Sequence, residues 1–228
     1  MWTTLSMALF MVGYCTTTGF AMYYMQYVFG NKDMYAILAA VVGVSQLAAL
    51  AVFPAFSKRH SRRALYTFAT ALLTAGYVVF FFAEASLYLI AAAGVIVFVG
   101  QAFIQLLMLM FLADTIEYGQ WKLGRRNDSI TFSVQPFINK IGAASGVAAV
   151  STGSTIMQTV TLIISGINRA ETAQDVTAQG LLIMKFAMMA LPLLAILVGY
   201  VVYLRKYRID AAYYNHILEE LRQRGDIH

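Results

Sequence analysis

Apolar residues are grouped along the chain into six long runs, which are separated by short segments with charged or turn-forming residues. A helix needs roughly 20 apolar residues to cross the hydrocarbon core of a bilayer. Each run has about that length or more, so the pattern predicts an all-α membrane protein with six transmembrane helices. The predicted spans are 4–28, 34–56, 64–82, 87–112, 130–164 and 179–204. The fifth is too long for a simple span, and its outer boundary stays open.

The segments outside the spans are short. Residues 113–129 are predicted to form a cytoplasmic loop and residues 205–228 a cytoplasmic tail, and neither is long enough for a separate enzyme module. In the tail, one helical face is apolar and the opposite face is charged, which predicts a short amphipathic helix at the membrane interface or against the other half of the protein. The apolar face consists of Tyr213, Ile217, Leu218 and Leu221.

The distribution of lysine and arginine predicts the orientation. Short cytoplasmic loops carry an excess of these residues. Twelve of the 16 lie in the segment between spans two and three, in the segment between spans four and five, or in the tail. The opposite side has only Lys32 and Arg169. Both termini are therefore expected to be cytoplasmic in the cell membrane.

The amino-acid composition fits a protein embedded in lipid and argues against several kinds of partner and site. Hydrophobic residues make up 60% of the 228 and charged residues only 12%, about half the charged share of an average soluble domain. The net charge of +5 is spread over loops rather than along a stripe, so no nucleic acid partner is expected. A single cysteine, Cys15, excludes an internal disulfide, and the three histidines show no metal-ligand spacing. No metal site, no cofactor and no enzymatic activity are predicted.

Two lysines fall inside predicted spans. Counting from Ile130 puts Lys140 about 15 Å deep, near the bilayer centre, where an ionisable group should face protein, water or substrate. The alternative is a structural lysine bound to carbonyl groups at a helix end. Lys185 lies close to the outer end of span six, and its side chain is expected to reach the headgroups.

Polar side chains in the first, fourth and fifth spans suit a sugar pathway. Amide and hydroxyl groups pair with sugar hydroxyls, and aromatic rings stack on the apolar face of a pyranose. Tyrosines near span ends also serve as interfacial anchors, which is the alternative for that residue type. The candidate pathway residues are Lys140, Asn139, Gln135, Gln105, Gln101, Tyr23 and Thr17.

Residues 113–133 carry a recognisable signature, which reads ADTIEYGQWKLGRRNDSITFS. It combines an acidic residue, an acid-Tyr-Gly triplet, a Lys-x-Gly-x-Arg turn and Ser133, and Lys140 follows. In this order and spacing it resembles the glycoside-pentoside-hexuronide:cation symporters, the melibiose permease family. The resemblance extends along all six spans and corresponds to helices seven to twelve of that family.

The resemblance implies a major facilitator fold and a sugar or sugar acid moved by alternating access. It matches Lys140 to the lysine that faces the family's cation and sugar site. It also implies a cytoplasmic gate formed by Asp114, Glu117, Tyr118, Lys122, Gly124, Arg125 and Arg126. Gln105 stands where the melibiose branch has tryptophan, which argues against a melibiose-like specificity. The family's cation-binding aspartates lie in the amino-terminal half, so a site for co-transported Na⁺ or H⁺ is expected to be incomplete in this chain.

The sequence is therefore interpreted as half of a secondary transporter. The expected partners are a sugar or glycoside substrate, membrane lipid, and either a second six-helix half or a second copy of this chain. A homodimer would bring two Lys140 side chains to one cavity and favour an anionic substrate such as a uronide. The alternatives are a non-transporting scaffold subunit and a membrane enzyme, for which Lys140 is the only candidate acid or base inside a span.

Overall fold

A computed structural model describes residues 2–83, 86–124, 128–143, 160–170, 172–207 and 211–224, and all regular structure within these ranges is helical. Five of the described helices are long and apolar enough to cross a membrane. This confirms the predicted all-α fold. The middle of the predicted fifth span lies outside the described residues. The labelled helices are α1 (Trp2–Tyr23, continued by the π-helical turn Tyr24–Val28), α2 (Met34–Arg59), α3 (Arg62–Phe82), α4 (Leu87–Leu123), α5 (Asp128–Ala143), α6 (Ala178–Lys185, the π-helical segment Phe186–Ala190 and Leu191–Lys206) and α7 (Ala211–Gln223). Residues 160–164 are also helical, and two short 3₁₀ helices, Ile167–Arg169 and Ala173–Asp175, precede α6.

Small residues let neighbouring helices pack closely. Helix α3 packs along α4, and α1 packs along α6 and also contacts α5. A Cβ atom at Gly76 of α3 would lie 2.7 Å from a Val97 methyl group of α4, and one at Gly13 of α1 would lie 3.0 Å from the Pro192 carbonyl oxygen. Both crossings therefore depend on glycine, as is common between helices in a bilayer.

Helix α4 continues well beyond the bilayer span predicted for it. The residues expected to form a loop at 113–129 are helical as far as Leu123, and α4 ends at Gly124, which has a left-handed backbone with φ 64°. Within this stretch Asp114, Ile116 and Gln120 are buried, and the extension contacts the helix of the tail. The polarity of residues 113–123 was therefore not a sign of irregular backbone.

The tail forms the predicted amphipathic helix, α7, and this helix packs on the extension of α4 beyond its predicted span. Ile217 and Leu221 are completely buried. The Trp121 indole donates a hydrogen bond to Glu220, and Arg224 donates to both the Trp121 carbonyl and the Glu220 carboxylate. The tail is therefore held against the carboxy-terminal end of α4.

Candidate functional site

One cavity lies where α1, α2, α4 and α5 meet, and we call it the amide cavity. Its volume is about 200 Å³. Gln105 of α4 and Gln135 of α5 line it, so two predicted pathway residues from different helices share one cavity. Leu50 also lines it, and the Leu50 carbonyl lacks its usual i+4 donor because residue 54 is proline. The remaining lining residues are Met7, Met11, Leu106, Met108, Leu109 and Ile138.

The second cavity lies among α1, α2, α3, α4 and α6, and we call it the apolar cavity. Its volume is about 190 Å³, and most of its wall is carbon. Thr17, Thr18, Tyr35, Gln46 and Tyr77 supply the polar groups. The apolar lining consists of Ala21, Leu38, Ala39, Val42, Gly43, Phe80, Gly94, Val97, Phe98 and Met188.

Tyr14 of α1 lies between the two cavities. Its hydroxyl is close enough for hydrogen bonding to Gln46, which lines the apolar cavity, and to Gln105, which lines the amide cavity. Its ring makes an edge-on contact with Phe98 at a centroid distance of 6.3 Å. The Tyr14 side chain and the amides of Gln46 and Gln105 therefore lie between the apolar cavity and the amide cavity.

A buried hydrogen-bonded group closes one side of the apolar cavity. The Thr17 hydroxyl lies 2.6 Å from the Tyr77 hydroxyl and donates to the Met188 carbonyl at 3.3 Å. That carbonyl is accessible because Pro192 has no N–H to donate to it and because residues 186–190 are π-helical. Gln101 is fully buried close to Tyr77, but neither of its amide atoms makes a well-aligned hydrogen bond with a described residue.

The other predicted pathway residues occupy different surroundings. Tyr23 is half-buried and packs against the core of the bundle. Lys140 is exposed, and with 3.6 residues per turn it falls on the side of α5 roughly opposite Gln135 and Ile138. The exposed residues Ser133, Pro136 and Phe137 share its side of the helix. The side chain of Asn139 lies outside the described part of the structure.

Sequence reasoning missed Gln46, and it did not select Tyr14 for the pathway although Tyr14 is a polar residue of the first span. Gln46 is an amide in the middle of an apolar span, where a polar group needs a partner, and that signal was available.

The surroundings of Lys185 also differ from the prediction. It is buried, with its ammonium group 5.0 Å from the centre of the Phe81 ring, instead of extending to the headgroups. The aromatic ring offers the cation a partner inside the bundle.

A charged cluster lies where the amino-terminal end of α3 meets the carboxy-terminal ends of α4 and α6. Asp114 is fully buried and forms an ion pair with Arg62, and it also accepts a hydrogen bond of 2.7 Å from the Tyr207 hydroxyl. The Arg62 guanidinium lies 4.8 Å above the Tyr214 ring of α7, and Tyr214 is hydrogen-bonded to Glu117. We call Arg62, Asp114, Glu117, Tyr207 and Tyr214 the cytoplasmic cluster, after the orientation that the distribution of lysine and arginine predicts.

The surroundings of the cytoplasmic cluster favour the protonated form of its two tyrosine side chains, Tyr207 and Tyr214. Burial raises the pKa of Tyr207 above the usual value of about 10. Burial, followed by the hydrogen bond with the Glu117 carboxylate, raises the pKa of Tyr214. Two of the predicted gate residues, Asp114 and Glu117, therefore contact residues of this same bundle.

The other predicted gate residues lie at the end of α4. Tyr118 packs beside Trp121 and Tyr213, and the Lys122 ammonium group lies 5.8 Å from the centre of the Tyr118 ring. Gly124 ends the helix. Arg125 and Arg126 lie outside the described residues. Arg62 is one of the basic residues between spans two and three, and nothing in the sequence pattern linked it to residue 114.

Some known proteins resemble this chain over nearly its whole length, and others resemble it over about half. A raffinose carrier protein of Pediococcus pentosaceus is 29% identical over 98% of this chain and 34% of its own length. A lactose permease of Lactobacillus delbrueckii subsp. bulgaricus is 28% identical over 100% of the chain and 35% of its own length. A glucuronide carrier protein homolog of Escherichia coli is 29% identical over 55% of the chain and 28% of its own length. The chain thus spans about a third of the length of the first two relatives.

The model of one protein family covers most of the chain. The family is described as MFS/sugar transport protein, and residues 1–211 match it. The match includes every described transmembrane helix and the α4 extension with the signature residues. This chain is a multi-pass membrane protein that belongs to the MFS/sugar transport protein family.

Proposed function

We propose that this six-helix unit is half of a secondary transporter that moves a sugar, glycoside or sugar acid by alternating access. The observation that carries the proposal is the amide cavity, where Gln105 and Gln135 face one space from two helices. Amides offer both donors and acceptors, which is what a ring of hydroxyl groups requires. The names of the relatives, a raffinose carrier and a lactose permease, support a saccharide as the cargo.

A second six-helix unit completes the site in this proposal. Lys140 is exposed on the far side of α5 from the amide cavity, together with Ser133 and Pro136. An ammonium group inside the hydrocarbon region needs a polar partner, and a facing unit can supply it. That unit is a separate half or a second copy of this chain, since facilitator halves are related by an axis along the membrane normal. Coupling to Na⁺ or H⁺ would require groups from the facing unit.

The cytoplasmic cluster is the element proposed to switch between states. It joins the ends of three helices through one ion pair and one short hydrogen bond. Alternating access needs an element with two discrete arrangements, and a charge network at the mouth of the pathway can supply it. Lys122, Arg125 and Arg126 would face the partner unit in this account.

Sugar binding tests the proposal directly. The assembly, purified from its own membranes with whatever partner it carries and placed in lipid nanodiscs, is titrated with radiolabelled lactose, raffinose and methyl glucuronide. Gln105→Ala and Gln135→Ala should each weaken binding about tenfold, because each leaves a ligand hydroxyl without its partner. Gln179→Ala is the matched control, since Gln179 is an exposed glutamine of α6 outside both cavities.

The mass of the same sample distinguishes the partners. A mass of two copies would identify a homodimer, and a mass with a second polypeptide would identify a separate half. If no saccharide binds and the three variants behave like the wild type, the chain is a scaffold subunit and the transport proposal is wrong.

A further inference from the structure

Both threonine hydroxyl groups in the wall of the apolar cavity already make hydrogen bonds within the protein. The Thr17 hydroxyl bonds to Tyr77 and to the Met188 carbonyl. The Thr18 hydroxyl donates to carbonyl oxygens of its own helix, those of Tyr14 and Cys15. A molecule in this cavity would therefore meet an almost wholly apolar surface. The other polar lining residues are Tyr35 and Gln46.

Gln46 marks the end of the apolar cavity that is nearest the amide cavity. It lies beside the Tyr14 hydroxyl, and on the other side of that hydroxyl is Gln105. The two spaces have nearly equal volumes, about 190 and 200 Å³. An amide-lined space and an apolar space are thus adjacent, with one aromatic ring at the junction.

We infer that the apolar cavity is a subsite for the aglycone of a glycoside, the apolar group attached to the sugar, while the sugar ring lies in the amide cavity. The inference rests on the proposed function and adds a substrate class to it. The chemistry of the walls determines where each part of the ligand binds. Sugar hydroxyl groups need the amides as hydrogen-bond partners, and an aryl or alkyl group is stabilised when it leaves water for an apolar wall. The glycosidic linkage passes Tyr14, whose ring and hydroxyl suit a joint between an apolar and a polar part.

Two positions on α2 allow the cavity to be filled without disturbing the helix. Gly43 lines the cavity, and a Cβ atom there would have no neighbour within 4 Å. Ala39 also lines it and is exposed on its outer side. Ala40 follows in the same helix and is exposed, but it does not line the cavity. The test variants are Gly43→Leu and Ala39→Leu, and the matched control is Ala40→Leu.

The test compares two glycosides that differ only in the aglycone. The assembly in lipid nanodiscs, free of glycoside detergent, is titrated with 4-nitrophenyl and methyl glycosides of galactose, glucose and glucuronic acid. For a sugar that binds, the nitrophenyl glycoside should bind at least about tenfold more tightly than the methyl glycoside, the lower end of what one methylene contributes in an apolar pocket. Gly43→Leu and Ala39→Leu should reduce that ratio towards one and leave methyl glycoside affinity unchanged. Ala40→Leu should keep the ratio.

Each other outcome overturns the inference. Equal affinity of both glycosides for the wild type contradicts the aglycone subsite and leaves the proposed sugar site intact. No binding of any glycoside contradicts both proposals. A lipid acyl chain is the rival occupant: if mass spectrometry finds a retained lipid that Ala39→Leu displaces, and the ratio stays unchanged, the cavity belongs to the bilayer.

Discussion

The amide cavity and the cytoplasmic cluster use the polar residues of α4 in opposite ways. In the membrane, Gln105 shares a cavity with Gln135. Towards the carboxy-terminal end of α4, one carboxylate oxygen of Asp114 is paired with Arg62 and the other accepts a hydrogen bond from Tyr207. A buried polar group without a partner costs about 1–3 kcal/mol, so groups that line a cavity favour a polar ligand, whereas mutually satisfied groups hold helices together. Polarity alone thus does not mark a site; access to a ligand does.

The largest expected effect is loss of the cation from the cytoplasmic cluster. Arg62→Met leaves the buried Asp114 carboxylate unpaired, and breaking a buried pair in this way costs about 3–5 kcal/mol. The low end is expected, because 31% of the Arg62 side chain is exposed. Thermal unfolding in nanodiscs should show a clearly lower melting temperature.

The neighbouring arginine serves as the control for that variant. Arg63 is exposed and follows Arg62 in the same helix, so Arg63→Met should change the melting temperature little. The double variant Arg62→Met with Asp114→Leu should recover much of the loss, because no buried charge remains. Equal effects of the two arginine variants would show that the cluster is not an energetic unit.

A smaller effect is expected at Tyr207. Tyr207→Phe removes one hydrogen bond to a carboxylate, which contributes about 1.5–3 kcal/mol. The raised pKa adds a pH dependence: the folded state holds the phenol proton more tightly, so this part of stability is complete below pH 10 and falls as pH rises above it. Melting temperatures between pH 8 and pH 11 should therefore decline less steeply in the variant than in the wild type.

Tyr88→Phe is the control for this pH profile, since the Tyr88 side chain is 88% exposed at the other end of the bundle. It should change neither the melting temperature nor its decline at high pH. If Tyr207→Phe declines as steeply as the wild type, the phenol is not held in its protonated form by the fold.

The smallest effect is expected where α7 contacts α4. Glu220→Gln weakens the interactions with Arg224 and Trp121 at a partly exposed site, and such pairs contribute about 0.2–1 kcal/mol. Limited proteolysis should release the tail somewhat faster. Glu219→Gln, at an exposed position of the same helix, should leave the cleavage rate unchanged. A tail that is cleaved equally in both variants would show that Ile217 and Leu221 alone hold it.

The overall helical architecture could be predicted from the sequence because the bilayer imposes a length on apolar runs. The α4 extension could not be predicted, because its polar residues are compatible with both a loop and an amphipathic helix, and only Gly124 marks the end of the helix. The π-helical segment before Pro192 also left no clear sign in the pattern, although a missing N–H donor made a free carbonyl there predictable.

The candidate site could be predicted only in part, since contacts between helices do not follow from positions within one helix. Gln105 and Gln135 were selected as polar residues in apolar spans, and the structure places both at one cavity. Tyr14 was visible as a polar residue of α1, but its position between two cavities depends on α2 and α4. Lys140 was located by depth alone, and depth does not say which side of α5 it occupies.

Uptake of a radiolabelled saccharide into proteoliposomes is the most direct test of the central claim. The native assembly should accumulate the saccharide that binds best. The double variant Gln105→Ala with Gln135→Ala should lose uptake while keeping its mass, because it removes ligand partners; losing the Gln105 contact with Tyr14 should lower the melting temperature only slightly. Undiminished uptake by the intact double variant would show that the amide cavity is not part of the pathway.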